Sequence, residues 1–278
     1  MIGIVTDSTC DLPREIAEEA GIAVIPAHIN IGRQSLRDGI DISREEFYER
    51  LPTMPEPPTT SAPGPGAFVE VYERLLGRAS HIISIHVASQ LSSIYNAACL
   101  AAREIAPERI HVVDSGQTTM GLGWAVLAAV EALRESASLE GVLHSVQDTL
   151  RRVRVYAVLN TVEYLARSGR VSMVQLGLSN LLNIKPLIEL REGVVSSLSR
   201  IRTWSRAVNA LAGQVRSIAP IERLAVMHTN YLEGAEKFVT RIKDILPHPH
   251  ESLLVNATTV IGAHVGPHGL GVAAVIKE

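Results

Sequence analysis

Cysteine and aromatic residues are scarce in this sequence. Two cysteines, Cys10 and Cys99, stand among 278 residues, which argues against a disulfide framework and is typical of a reduced, cytoplasmic protein. Aromatic residues make up 4% of the chain and hydrophobic residues 46%, so the core must be built mainly from aliphatic side chains. A charged-then-apolar leader is missing, and the longest apolar segment, residues 121–130, is too short to span a bilayer. We therefore expect a cytoplasmic protein without stable membrane insertion.

An excess of one charge and the familiar catalytic motifs are also missing. The net charge is −3 with both signs spread along the chain, so nothing indicates a nucleic-acid partner. There is no G-x-S-x-G elbow, no Walker A loop and no cysteine or histidine spacing suited to zinc. Gly121-Leu122-Gly123 lies inside a predicted helix, where close packing explains the glycines better than a dinucleotide does. These absences predict no metal, no cofactor and no catalytic residue, and they favour a small-ligand binder.

The order of apolar patterns predicts the fold class. Residues 2–5, 81–87 and 110–113 have the character of buried strands and are separated by helical patterns, which is typical of a parallel α/β domain. Beyond residue 152 the pattern changes, and residues 183–201 resemble an antiparallel hairpin. We therefore predict an α/β protein with two domains, a parallel-sheet domain at 1–152 and an α+β domain with a mostly antiparallel sheet at 153–278.

The stretch 81–106 places hydroxyl groups where a strand gives way to a helix. Its apolar spacing predicts a helix that begins near Ser92 or Ser93. The free N–H groups and the dipole of such a helix start attract an anion or a carboxylate, and Ser89 adds a third hydroxyl. The alternative is that these serines merely cap the helix.

A proline-rich segment precedes this stretch. Residues 52–65 contain six prolines, which exclude a helix or a central strand. The composition predicts a semi-rigid loop that holds Thr59, Thr60 and Ser61 in place.

Four segments together resemble the signatures of the DegV family, the fatty-acid-binding subunits of bacterial fatty acid kinases. They are Thr60-Ser61-Ala62-Pro63, Leu91-Ser92-Ser93-Ile94-Tyr95, Leu181-Leu182-Asn183-Ile184-Lys185-Pro186 and His264-Val265-Gly266-Pro267. The start of the chain, residues 6–12, and the pair Asp114-Ser115 fit the same pattern. The chain departs from it at Ser93 and Ile94, where the family usually has glycine and threonine.

The resemblance implies a ligand, a site and a partner. A long-chain fatty acid would lie in a tunnel that the second domain closes. Its carboxylate would be held by Thr60, Ser61, Ser92, Ser93 and His264. Arg170, in a turn similar to the family's Gly-Gly-Arg, would face a separate ATP-dependent fatty acid kinase, which makes the acyl phosphate.

Two other classes of function stay open at the level of sequence. One is an enzyme that acts on a small carboxylated or phosphorylated metabolite, with His264 or Asp114 as acid or base. The other is a structural partner protein in which the serines only cap. An enzyme would show an open, water-filled cleft, whereas a fatty-acid carrier would show a closed apolar tunnel.

Overall fold

The computed structural model describes residues 1–170, 184–247 and 252–277. Strands and α-helices of these ranges are numbered here in chain order. The strands are β1 (Ile2–Asp7), β2 (Ala23–Ile25), β3 (His28–Ile31), β4 (Gln34–Arg37), β5 (Thr59–Ser61), β6 (His81–His86), β7 (Ile110–Asp114), β8 (Val153–Val158), β9 (Lys185–Arg191), β10 (Val194–Ile201), β11 (Ile221–His228), β12 (Ser252–Asn256) and β13 (Leu270–Ile276). The helices are α1 (Arg14–Glu19), α2 (Arg44–Arg50), α3 (Pro65–Leu76), α4 (Ile94–Ile105), α5 (Thr119–Arg134), α6 (Leu139–Arg152), α7 (Glu163–Ser168), α8 (Trp204–Ser217), α9 (Leu232–Arg241) and α10 (Thr259–Val265).

A parallel sheet is formed by strands from the first 114 residues. Its order is β2-β1-β6-β7, and every neighbouring pair runs parallel. Isoleucine and valine dominate β1, β6 and β7, because β-branched side chains pack well on a pleated surface. The carboxyl ends of these parallel strands meet at one edge of the sheet, so the segments that follow β1 and β6 become neighbours. The structure confirms the predicted parallel α/β architecture.

A second, larger sheet is formed by strands that follow α6. Its order is β10-β9-β8-β13-β11-β12, and all neighbours are antiparallel except β11 and β12. The mostly antiparallel sheet that the sequence predicts is confirmed, including the hairpin of β9 and β10. Helix α6 ends at Arg152 and β8 begins at Val153, the position of the predicted domain boundary, which itself stays a prediction.

The proline-rich segment differs from its prediction at one point. Thr59, Thr60 and Ser61 form the short strand β5, which pairs with β3 in the small sheet β4-β3-β5. The prediction of an irregular loop at these three residues is therefore wrong. A strand of three residues at the edge of a sheet pairs with only one neighbour. The prolines flank this strand, so they limit its length but remove none of the N–H groups that pair with β3.

Helix α5 lies between the two large sheets and joins them. It is buried along most of its length, and the indole N–H of Trp124 donates to the carbonyl of Ala273 in β13 at 3.0 Å. A Cβ at Gly121 would lie 2.7 Å from Val155 Cγ2, and one at Gly123 would lie 2.8 Å from the carbonyl oxygen of Cys10. The prediction that close packing explains these glycines is confirmed. The helix thus fixes the spacing between the sheets where the cavity described below lies.

Candidate functional site

A cavity of about 500 Å³ lies where the carboxyl ends of β1 and β6 face the six-stranded sheet. This volume falls within the roughly 300–1,000 Å³ of small-molecule pockets. Open α/β sheets hold their ligands beyond the carboxyl ends of the strands, which is where Thr9 and Ser89 border this cavity. Position and size therefore make it the candidate site.

One wall of the cavity is apolar and belongs to the six-stranded sheet. The side chains or backbone of five neighbouring strands line it: Val195 of β10, Ile188 and Leu190 of β9, Val155 and Ala157 of β8, Leu270 and Gly271 of β13, and Met227 of β11. Strands in a sheet lie about 4.8 Å apart, so the four intervals from β10 to β11 span roughly 19 Å. The wall offers a long aliphatic surface that suits an extended apolar ligand.

A hydroxyl and an imidazole meet at the polar end of the cavity. Thr60 Oγ1 lies 2.9 Å from His264 Nε2, and both residues border the cavity. Strand β5 presents Thr60, and the last turn of α10 presents His264. Burial, and to a lesser extent the positive charge of Arg170, lowers the pKa of His264 to about 4. The imidazole is therefore neutral at physiological pH and keeps one nitrogen as a donor.

Ser92 and Ser93 also border the cavity, at the start of α4. The helix begins at Ile94, one residue after Ser93 and close to the start predicted near Ser92 or Ser93. The hydroxyl of Ser92 accepts a bond from the N–H of Ile94 at 3.3 Å, so capping accounts for part of its role. Ser93 is the N-cap residue, yet within the described chain its side chain makes no capping bond. Its hydroxyl is exposed, and the N–H groups that follow Ile94 in the first turn of α4 are the ones left to meet an anion.

Ser61 borders the cavity but directs its hydroxyl elsewhere. Successive side chains of a strand point to opposite faces. Asn30 Nδ2 donates to Ser61 Oγ at 3.4 Å and to Thr59 Oγ1 at 3.5 Å, so Ser61 and Thr59 share the face of β5 opposite Thr60. The structure thus groups Thr60, and not the hydroxyl of Ser61, with His264.

Arg170 lies at the rim of the same cavity, just after α7. Its side chain is exposed, and Arg170 Nη1 donates to the carbonyl of Ser168 at 2.8 Å. The motif residues 181–183 lie outside the described residues, and so do His248 and His250, the histidines that flank Pro249 and that the sequence places in a solvated loop and not in a metal site. Lys185 of that motif is described, and its ammonium donates to Asn160 Oδ1 at 2.9 Å.

The sequence analysis named no binding residue in a second polar part of the lining. It consists of residues at or just after strand ends and at the start of a helix: Thr9, Asp11, Thr118, Thr119, His228 and Thr229. The segment 6–9 was recognisable as a polar cluster at a strand end. The other residues reach the cavity only because β1, α5 and β11 come together in the folded protein. The spacing of residues along the sequence does not predict that arrangement.

A buried chain of polar groups resembles a hydrolase triad without offering a reactive serine. Ser84 Oγ lies 2.7 Å from His86 Nε2, and His86 Nδ1 lies 2.9 Å from Asp7 Oδ2. All three side chains are fully buried, and Ser84 also meets the hydroxyl of Tyr72. A substrate has no access to Ser84. These hydrogen-bonded groups therefore stabilise the fold and do not carry out acyl transfer.

Asp114, the other acid or base considered, is occupied by backbone donors. Its carboxylate accepts the N–H groups of Ser89 and Gly116 at 3.0 to 3.3 Å. In residues 1–170, 184–247 and 252–277 no group of three or more His, Cys, Asp or Glu side chains is arranged for a metal ion. No helix of those ranges combines the length and apolarity needed to cross a membrane.

One protein family and several relatives match this chain. The model of the family described as "Uncharacterised protein, DegV family" matches residues 1–277. A DegV domain-containing protein of Streptomyces coelicolor is 34% identical over 275 residues, which cover 98% of this chain and 97% of the relative.

Solved structures share the fold over the whole chain. A DegV family protein from Thermus thermophilus, described by its fatty acid binding, has a TM-score of 0.89 at 32% identity and covers 99% of each chain. DegV from Bacillus subtilis, described as a fatty acid binding protein, has a TM-score of 0.87 at 29% identity, again over 99% of each chain. This chain therefore belongs to the DegV family.

Proposed function

We propose that this protein binds a long-chain fatty acid in the cavity and presents its carboxylate to a separate ATP-dependent fatty acid kinase. The observation that carries the binding step is the make-up of the cavity, which combines an aliphatic wall of roughly 19 Å with a cluster of hydroxyl and imidazole groups. The fatty acid binding described for the Thermus thermophilus and Bacillus subtilis structures supports the same ligand class.

The polar end of the cavity suits a carboxylate. A partly buried carboxylate is costly unless several donors meet it. With His264 in the tautomer that donates from Nε2 to Thr60 Oγ1, the Thr60 hydroxyl directs its own proton to the ligand. Ser92, Ser93 and the first N–H groups of α4 complete the donor set. Ser61 is the next residue in β5, and we assign it to the carboxylate site through its backbone and not through its hydroxyl.

The aliphatic wall suits the acyl chain. Each buried CH₂ contributes about 0.8 kcal/mol, so a chain that fills the wall gains more than the head group can. An extended chain advances about 1.2 Å per bond, since a residue of three bonds spans about 3.3–3.6 Å. A span of roughly 19 Å then accommodates about sixteen bonds, the length of a long-chain fatty acid.

Arg170 is the residue that we assign to the partner. It is exposed at the rim of the cavity that His264 also borders, and its positive charge adds to the effect of burial in lowering the pKa of His264. A kinase that docks against this rim would reach the carboxylate without the acyl chain leaving its tunnel. The protein supplies binding and orientation, and the partner supplies phosphoryl transfer in the cytoplasm. The acyl phosphate would enter phospholipid metabolism.

Extraction of bound lipid tests the binding step. Purified recombinant protein is denatured and its small molecules are identified by mass spectrometry, alongside the intact mass under native conditions. We expect one fatty acid per chain. Ala157→Phe fills the cavity and should lose the lipid, whereas Ala166→Phe on the exposed side of α7 should keep it. Absence of lipid from the wild type, even after incubation with mixed fatty acids, would overturn the proposal.

A further inference from the structure

Helix α10 connects two polar parts of the cavity. His264 lies in its last turn, while Val260 and Ile261 of the same helix border the cavity between the ends. At the other end, the N–H of Thr258 donates to Asp11 Oδ1 at 2.8 Å. Asp11 also borders the cavity, so a ligand that lies along α10 meets a carboxylate at the end opposite His264.

Asp11 is fully buried and one of its oxygens is left without a donor. Asp11 Oδ2 has no hydrogen-bond partner among the residues that the structure describes. The cost of an unpaired carboxylate oxygen in such a place is large compared with most single contacts. Asp11 itself has a backbone φ of 56°, in the left-handed region that residues other than glycine seldom adopt. The surrounding fold therefore determines the position of its side chain.

One hydroxyl near this segment also lacks a partner. Thr119 Oγ1 is buried and has no partner within the described ranges, whereas the Thr258 hydroxyl lies close enough to the Asp11 carboxyl to lower its pKa. Thr119 borders the cavity and has a φ of 54°, which is rare for a β-branched residue and marks a position that the surrounding structure enforces. Thr118 Oγ1 donates to the carbonyl of Thr9 at 3.4 Å, so the start of α5 adjoins the segment that carries Asp11.

Charge decides which ligand group belongs at this end. Burial raises the pKa of Asp11 to about 6, against the opposing effect of Arg44, so the carboxyl is mostly ionised at neutral pH. An ionised Asp11 repels a second carboxylate and accepts a hydrogen bond from an uncharged donor. The fatty-acid carboxylate therefore belongs at His264, and a hydroxyl suits Asp11 and Thr119.

We propose that Asp11 and Thr119 bind a hydroxyl group on the acyl chain, so that the cavity prefers hydroxylated long-chain fatty acids to unsubstituted ones. This inference rests on the proposed fatty-acid site. From Thr258 to His264 the helix rises about 9 Å at 1.5 Å per residue, which equals about seven or eight bonds of an extended chain. The hydroxyl is therefore expected on about the eighth to tenth carbon.

Calorimetric titration with three ligands tests the proposal on delipidated full-length protein. The ligands are octadecanoate, 10-hydroxyoctadecanoate and 10-oxooctadecanoate. The wild type is expected to bind the hydroxy acid about tenfold more tightly than octadecanoate, as one hydrogen bond to a charged group allows. The ketone oxygen of the oxo acid can only accept a hydrogen bond, as can the ionised carboxylate of Asp11. The oxo acid should therefore bind more weakly than the hydroxy acid.

Variants separate the two side chains from the rest of the site. Asp11→Asn places an amide donor at the same position, keeps an acceptor for the Thr258 N–H, and should narrow or reverse the order of hydroxy and oxo acids. Thr119→Val should lower the hydroxyl preference and Thr119→Ser should keep it, which leaves a test if Asp11→Asn fails to fold.

Each contrary outcome has a distinct meaning. Equal affinity of the wild type for octadecanoate and its 10-hydroxy form would show that water alone satisfies Asp11, and would overturn this inference while the fatty-acid site stands. Failure of all three ligands to bind would overturn both proposals.

Discussion

Asp7 Oδ2 and His86 Nδ1 lie 2.9 Å apart, although 79 positions separate the two residues in the chain. The same carboxylate accepts the N–H of Val87 at 3.1 Å and, through Oδ1, the N–H of Thr9 at 3.1 Å. One buried side chain thus ties together the segments that leave β1 and β6. Because Thr9 and Val87 both border the cavity, this pair fixes part of its lining.

Removal of the imidazole should destabilise the protein. His86→Leu leaves Asp7 and Ser84 without their shared partner in a fully buried place, and we expect the free energy of unfolding to fall by about 3 kcal/mol. Urea denaturation at an unchanged m-value measures this. Glu18→Ala, which breaks the exposed ion pair with Arg14, is the control and should have little effect. A loss no larger than the control's would contradict the structural role.

The Thr60 hydroxyl should contribute to ligand affinity. Thr60→Val keeps the shape of the side chain and removes the donor, so the Kd for a fatty acid is expected to rise about tenfold. Thr59→Val changes the preceding residue, which faces the opposite side of β5 and should leave Kd unchanged. Isothermal titration on the two variants gives both values. Equal effects would place the carboxylate away from Thr60.

Arg170 should act on phosphorylation and not on lipid content. Arg170→Ala is expected to retain its extracted fatty acid and to lose acyl phosphate formation with ATP and a bacterial fatty acid kinase subunit. Arg167→Ala, on the neighbouring turn and also exposed, is the control and should retain both. Parallel loss of lipid and phosphorylation in Arg170→Ala would remove it from the docking surface.

Protonation of His228 should make the free energy of unfolding depend on pH. Burial lowers the pKa of His228 to about 4, and its Nδ1 accepts the N–H of Tyr231 at 3.1 Å. The unfolded chain, with an ordinary value of about 6.5, binds the proton more readily. The stability that His228 contributes is therefore present above pH 6.5 and is lost as pH falls toward 4.

A non-titrating variant isolates this contribution. His228→Asn retains an acceptor for the N–H of Tyr231, while Asp11, whose pKa lies at about 6, titrates in both proteins and cancels in the comparison. Between pH 7 and 4 the stability of the wild type should fall relative to the variant by about 3 kcal/mol. Urea titrations at four pH values measure the difference. A difference that does not change with pH would contradict the assignment.

Gly121 should tolerate no side chain. Gly121→Ala places a methyl group 2.7 Å from Val155 Cγ2 and should lower the free energy of unfolding by about 1–3 kcal/mol through overpacking. Gly213→Ala on α8 meets no atom within 4 Å and should raise it by about 0.5–1 kcal/mol, since alanine favours a helix. Thermal unfolding of both variants provides the measurement. Similar shifts would show that α5 can move away from β8.

The sequence predicts local structure better than it predicts contacts. The β-branched runs of β1, β6 and β7 follow from neighbouring residues alone, and so does a start of α4 near Ser92 or Ser93, which the structure places at Ile94. The pairing of Thr60 with His264 joins positions 204 apart. No periodicity reports such a contact, and the family resemblance supplied it.

The second polar part of the cavity shows where pattern reasoning stops. Asp11 follows a strand by four positions and has the character of a turn residue, whereas its importance comes from the cavity that α5 and α10 build around it. The strand β5 was missed for a related reason. Its three residues have no pattern of their own and become a strand because β3 offers an edge.

The hydrogen bond from the indole of Trp124 to the carbonyl of Ala273 makes Trp124 an intrinsic fluorescence probe of the junction between the two sheets. The chain has two tryptophans, and Trp124 is almost fully buried between the two large sheets, whereas Trp204 lies in α8 against Tyr231. A protein that carries Trp204→Phe retains a single indole, held at the junction. Its emission is expected to report a change in the surroundings of the junction on unfolding, and on any change of sheet spacing when a ligand binds, without an attached dye.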